Sequence, residues 1–369
     1  MSLACAAAPS LAVLLVARGL QGVAAAAMIP ASLAVVLMDL PPKRRAAAIG
    51  AWSAAGALAA AIGPAVGGVL VDTVGWRSLF VVNVPFGLAI LAGARLVPPS
   101  AAVRGRLPDI GGTIMLGVGI GALALGIVEG PQWGWGDERT LAALAGGALA
   151  AALAVRRSTH HAEPAIQTRL WRSRPFALAN LASLLYGAAL FPWMLIGVLF
   201  LVQVWDYSAL QAGLSMTPGA VVAAIVALRA GPVVRSRGPR PVIVAGGLVL
   251  ALAGALCTFA LPSEPAFVAF WLPVAVLIGI GVGAITTGVS SAAALSVQPE
   301  HFAAAVGLNQ TGRQVGGALG IAVLAALLQD RVGPGAGISP YTDVYLFCTL
   351  ATLAVAAAGA RLVLGEKSA

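Results

Sequence analysis

Between Ala46 and Val71 the sequence runs for 26 residues without a charge, AAAIGAWSAAGALAAAIGPAVGGVLV. That length crosses a bilayer as a single tilted helix. Gly56, Ala60, Gly63 and Gly67 fall at i, i+4, i+7 and i+11, so they share one helix face. A stripe this small lets a neighbouring backbone come close, which is how membrane helices attract one another without a hydrophobic drive. Pro64 removes one helical hydrogen bond and crowds the Ala60 carbonyl, so a bend is expected there.

The rest of the chain repeats the theme. Of its 369 residues 60% are hydrophobic and 9% charged, with a mean hydropathy of +0.95, against roughly 25% charged in a soluble domain. By length and apolarity there are about eleven spans, which makes this an all-α polytopic membrane protein. Besides Ala46–Val71 they are Leu11–Met38, Ser78–Val97, Ile110–Glu129, Thr140–Val155 and Phe176–Val204. Ala212–Leu228, Val242–Leu261, Phe267–Ser290, Phe302–Leu328 and Val344–Leu364 complete the set. Met1–Pro9 is too short to span and reads as the end of a helix that begins earlier.

A net charge of +9 and a pI near 10.5 could suggest nucleic acid, but the charges lie in short loops between apolar runs. Their partners are anionic lipid headgroups. Alternating the loops from Asp39–Arg45 puts seventeen Lys and Arg on one side, three on the other, and Arg18 and Arg313 within spans. The crowded side is cytoplasmic by the positive-inside rule, so the N-terminus is expected outside and the C-terminus inside. Trp76, Trp133, Trp135 and Trp205 fall at outer helix ends, as interfacial anchors would.

Cys5, Cys257 and Cys348 sit in or beside apolar segments and imply neither a disulfide framework nor a metal site. His160-His161 lies in a basic loop without a third ligand nearby. No cofactor is expected. No span carries the clustered His, Asp or Glu that metal or acid–base chemistry needs, which argues against an enzyme.

An internal repeat points to a duplicated architecture. Ala46-Ala-Ala-Ile-Gly50 recurs as Ala303-Ala-Ala-Val-Gly307, and at the same offset Gly22 aligns with Gly279, Pro42 with Pro299 and Gly63 with Gly320. Transporters are commonly built from such repeated bundles.

Two polar features inside spans are candidate chemistry. Arg18 lies about seven residues into its helix, roughly 10 Å deep, with Gln21 and Gly22 on its face. It reads as a buried functional cation or as a structural arginine reaching for the rim. Asn309-Gln310-Thr311-Gly312-Arg313-Gln314 is the most polar intramembrane run. It can glue helices together or line a cavity, and the cost of a fixed cation favours the cavity.

The motifs resemble those of a known family. Arg18-Gly-Leu-Gln-Gly22 resembles motif B, whose arginine is implicated in proton coupling, and Gly63-Pro64-x-x-Gly67-Gly68 resembles motif C, the antiporter signature of major facilitator drug exporters. Trp76-Arg77-x-x-Phe80-x-x-Asn83-x-Pro85-x-Gly87 is similar to the sixth-helix motif of their fourteen-span drug:proton antiporters, the EmrB/QacA group. Gly231-Pro-Val-Val-Arg235-Ser-Arg-Gly238-Pro-Arg240 looks like a degenerate second copy of motif A, with Arg235 in place of an Asp.

The resemblance implies a major facilitator helical bundle in three parts: a partial N-terminal bundle (1–108), an extra helix pair (109–155) and a six-helix C-terminal bundle (156–369). It implies proton-coupled efflux of small amphipathic compounds by alternating access from a bacterial inner membrane, with protons, substrate and lipid as partners and no nucleic acid. The first two family helices, most of the third and their acidic residue have no counterpart here, so the resemblance also implies an N-terminally truncated chain. The alternative is a non-transporting membrane fragment acting as an interaction partner or decayed product.

Overall fold

The structure is a computed structural model, and it describes the chain except for residues 39, 96–108, 163, 299–300, 329–336, 364–369 and some side chains within helices, Pro64 and Lys43 among them. The bend expected at Pro64, the charges of Arg104, Arg106, Arg331 and Lys367, and the first domain boundary therefore lie outside the described residues.

The described residues are helical throughout their regular structure. Helix α1 (Ser2–Ala6) is a short lead-in to α2 (Leu11–Met38), and α3 (Pro42–Val74) contains the long uncharged run. The next apolar segment is split into α4 (Ser78–Val81) and α5 (Asn83–Ala94), and α6 (Ile110–Trp133) and α7 (Glu138–Ser158) form a hairpin. Six helices follow: α8 (Arg174–Gln203), α9 (Ala209–Arg237), α10 (Pro239–Phe259), α11 (Leu272–Leu295), α12 (Phe302–Leu328) and α13 (Ser339–Ala360). Among the described residues nine helices are long and apolar enough to cross a membrane, and Ser78–Ala94 is a shorter apolar unit. The reading of about eleven spans thus resolves into those nine, the α3 helix and the split α4–α5.

Local chemistry explains the boundaries. Proline occupies the first turn of α3, α8, α10, α11 and α13, where its missing N–H is not needed. Ser208 and Gln211 close a reciprocal capping box at the start of α9, with bonds of 2.9 and 3.2 Å. Gly75 and Gly238 end α3 and α9 at φ of 93° and 76°, a conformation that suits residues without a Cβ.

The core belongs to the last six helices. Phe176, Tyr186, Ile196, Phe200, Ile243, Leu250, Ile285 and Tyr345 are fully or almost fully buried in one cluster drawn from α8, α10, α11 and α13. At one end of it Phe200, Trp205, Trp271 and Tyr341 pack ring against ring. Trp205 Nε1 donates to Pro262 O at 3.1 Å, and Trp205 is 3% exposed. It is thus a core residue, correcting the expectation of an interfacial anchor: edge-to-face contacts with Phe200, Tyr207 and Trp271 outweigh a place at the headgroups.

Helices α2 and α3 join this bundle through a second cluster, Leu33, Leu37, Ile49, Ala294, Phe302 and Val306, with Arg45 lying 4.9 Å over the Phe302 ring. The α3–α9 contact is at backbone distance, since a Cβ on Gly50 would come within 2.7 Å of Ala227 O. Helix α6 leans on α12.

Candidate functional site

The polar run of α12 faces two ways. Asn309 is buried and donates to Ala179 O of α8 at 3.4 Å, an interhelical contact of the kind the glue reading of this run describes. Arg313 Nη2 donates to Gln310 Oε1, one turn back on the same helix. Arg313 and Gln310 are half-buried, while Thr311 and Gln314 are exposed.

Two residues that the sequence reading passed over complete the cluster. Tyr186 of α8 and Thr286 of α11 share a hydrogen bond of 2.7 Å, and Tyr186 precedes Gly187, where a Cβ would overlap the Arg313 carbonyl. The signal was a tyrosine in mid-span, whose hydroxyl must find a partner once its ring is buried.

The α8–α12 seam that holds these groups is made by glycine. At Gly187, Gly316 and Gly320 a Cβ would overlap the backbone of the facing helix, and at Gly317 it would meet the Phe191 ring. The two backbones are therefore locked together at the level of Arg313.

Of the two readings of Arg18, a buried cation or an arginine at the rim, its placement is nearer the second. It is exposed, donates to Gln21 Oε1 at 2.8 Å and lies 5.8 Å from the Phe80 ring centroid. Gln21 donates in turn to Ser2 Oγ at 2.8 Å.

The glycine stripe of α3 meets no facing helix backbone among the described residues. Gly56 and Gly63 are exposed with nothing within 4 Å of a built Cβ, and Gly67 meets the Leu79 side chain alone, at 3.6 Å. The face that packs carries Gly50 and Ala54, both buried. Gly56 is two residues further, a rotation of about 200°, which turns the stripe away from α9. Gly67 and Gly68 instead line an open groove of about 290 Å³ with Asp72, Leu79, Val198, Val202 and Gly213.

The sixth-helix motif builds a turn. Arg77 lies 4.4 Å from the Trp76 ring centroid and donates to Ala8 O at 3.3 Å. Ser78 Oγ caps the end of α3 by donating to Leu70 O and Gly75 O, and Asn83 Nδ2 donates to Leu79 O at 3.2 Å. Pro85 is exposed within α5.

The sequence pattern of the Major Facilitator Superfamily matches residues 1–321. The chain belongs to this superfamily. Within it, the chain is 32% identical over 334 residues to the tetracenomycin C resistance and export protein of Streptomyces glaucescens, covering 88% of this chain and 60% of that protein. It is 35% identical over 329 residues to the multidrug resistance protein Stp of Mycobacterium tuberculosis, covering 89% and 61% respectively. The chain therefore spans about three fifths of the length of these curated relatives. Among solved structures, the nucleoside transporter NupG superposes with a TM-score of 0.50 at 18% identity, over 92% of this chain and 88% of that one, a likeness of fold. This major facilitator chain is a multi-pass membrane protein of all-helical architecture.

Proposed function

We propose that the chain is the greater part of a proton-coupled exporter of small amphipathic compounds, of the fourteen-span drug:proton antiporter group, working by alternating access in a bacterial inner membrane. The observation that carries the reading is the Arg313–Gln310 pair on α12, registered by glycine packing on α8 next to the Tyr186–Thr286 hydrogen bond, in a chain about one third identical to an antibiotic resistance and export protein and a multidrug resistance protein. Residues 1–108 would supply part of one bundle, 109–155 the extra pair and 156–369 the other bundle, with the C-terminus cytoplasmic. Arg18 and Gln21 would serve the proton path, and Arg313, Gln310 and Gln314 the solute path. Gly63, Pro64, Gly67 and Gly68 would act as the antiporter motif.

The open Gly56/Gly63 face of α3 and the exposed Arg18 support an active form with further helices against that face. The same features favour a second reading, in which these 369 residues alone insert without transporting. The test is proton-driven efflux of a lipophilic dye from membrane vesicles, comparing this chain with a form extended upstream by the missing family helices. Efflux by the extended form, abolished by Arg18→Ala with insertion intact, is expected. Equal efflux from both forms would overturn the requirement for further helices, and no efflux from either would overturn the exporter reading.

A further inference from the structure

The position of Arg313 is set by backbone packing. A Cβ on Gly187 would overlap the Arg313 carbonyl, and one on Gly316 would overlap Leu184 O, so α12 is registered on α8 immediately around the arginine. Tyr186, fully buried, is on the facing helix, and Thr286 on α11 ties that hydroxyl down at 2.7 Å. Arg313 and Gln310 are half-buried as residues, with Thr311 and Gln314 exposed beside them, so the run borders the surface of the bundle.

Among the described residues no negative charge faces this arrangement. A guanidinium stays ionised in proteins and carries five N–H donors. The Gln310 carbonyl accepts from Nη2 and neutralises none of the charge. Among the described residues Arg313 forms no ion pair; the one found joins Arg157 to Asp109 in the α6–α7 hairpin. Arg18, the other cation within a span, is likewise held by a glutamine. Asp72, Glu129, Glu138 and Asp343, the described carboxylates of the long helices, all fall in the first or last five residues of their helices. A fixed cation at membrane depth is costly without a counter-charge.

Resting on the exporter reading, we infer that the solute supplies that counter-charge: Arg313 is the recognition point for the ionised oxyanion of an amphipathic organic acid. The planar fork of the guanidinium suits a carboxylate through two parallel hydrogen bonds, and an ionised phenol through one. The Tyr186 and Thr286 hydroxyls provide a polar wall beside the oxyanion. Gln310 acts as a positioning residue that fixes the guanidinium's orientation. A cationic amphiphile meets like charge here, and a neutral one leaves the arginine unpaired, so the site selects for acids.

The test measures binding, independent of transport, with the purified chain in lipid nanodiscs. Four probes of one apolar body are compared: naphthaleneacetate, dinitronaphtholate, the neutral naphthaleneacetamide and the cationic naphthylmethylammonium. The anions are expected to bind about tenfold more tightly than the amide, the yield of one charge-assisted hydrogen bond. Arg313→Gln should erase that preference and leave amide binding unchanged, while Arg313→Lys should keep more of it for the phenolate than for the carboxylate. A preference for naphthaleneacetate alone assigns the site to carboxylates, and one for dinitronaphtholate alone to phenolates. Tyr186→Phe keeps the ring in the core and should weaken anion binding alone, which decides the matter if Arg313→Gln does not fold. Saturable binding of amide and anions with equal affinity, or an unchanged anion preference in these variants, would overturn the inference and leave the exporter reading standing. Saturable binding of none of the probes would overturn both.

Discussion

Asp109 shows how much a single side chain does at the root of the α6–α7 hairpin. Its Oδ1 accepts from Gly112 N at 2.8 Å, capping α6, and from Arg157 Nε at 2.7 Å, near the end of α7. The Arg157 hydrogen bond holds the Asp109 carboxyl below its ordinary value of 3.8, against an opposing push from burial. A carboxylate with a depressed folded value contributes stability that is complete above the unfolded value and is lost as pH falls through the folded one. The hairpin should therefore be insensitive to this group at neutral pH and lose its clasp only below 3.8. Thermal unfolding across acid pH checks this: Asp109→Asn should lower the midpoint at pH 7 and remove the acid-side decline. Equal midpoints for the two proteins at pH 7 would show the ion pair to be idle. The sequence placed Asp109 at a helix end but could not show Arg157 as its partner, because the two are 48 residues apart and meet only when the hairpin closes.

At the scale of helices, small residues mark close packing only where a partner arrives. Gly320 and Gly63 are equivalent in the internal repeat, yet a Cβ on Gly320 would come within 2.8 Å of the Pro192 ring while one on Gly63 would meet nothing within 4 Å. Gly320→Leu should thus destabilise the bundle by about 1–3 kcal/mol or more through overpacking, and Gly63→Leu should leave it nearly unchanged. Unfolding midpoints in detergent compare the two, and similar losses would mean that the α3 stripe has a partner after all. Most helix boundaries were legible because apolar length and charge-bearing loops are local properties. Leu11–Met38 and Phe302–Leu328 match the sequence reading residue for residue. The use of each face was not legible. Nothing in the glycine spacing of α3 says that α9 docks on Gly50 and Ala54, and Asn309 differs from Gln310 only by the rotation of one residue that sends it into the α8 seam.

For the molecule as a whole, the two halves meet along the α3–α9 seam and through an apolar cluster at one end. Leu33, Leu37 and Ile49 from α2 and α3 close on Ala294, Phe302 and Val306 from α11 and α12, at the end where Arg44, Arg45, Arg235 and Arg237 lie. Toward the opposite end, Gly67, Gly68 and Asp72 of α3 stand apart from Val198 and Val202 of α8 across the open groove. With the arginine-rich end cytoplasmic, as proposed, this cluster closes the cytoplasmic end of the interface between the halves. Alternating access would require that contact to break, and Phe302 is its centre, carrying both the apolar packing and the Arg45 guanidinium at 4.9 Å. Truncating a buried phenylalanine costs about 3–5 kcal/mol, comparable to the about 5.5 kcal/mol that inverts a two-state population. Phe302→Ala should therefore shift the equilibrium toward separation of α2 and α3 from α11 and α12. Spin labels at Arg44→Cys and Gln298→Cys report on this, since both positions are exposed and the native cysteines are buried. One short distance is expected with Phe302 in place, and a second, longer population when it is removed. A distance distribution that Phe302→Ala leaves unchanged would make this cluster a permanent joint, and rocking of the two halves would have to pivot elsewhere.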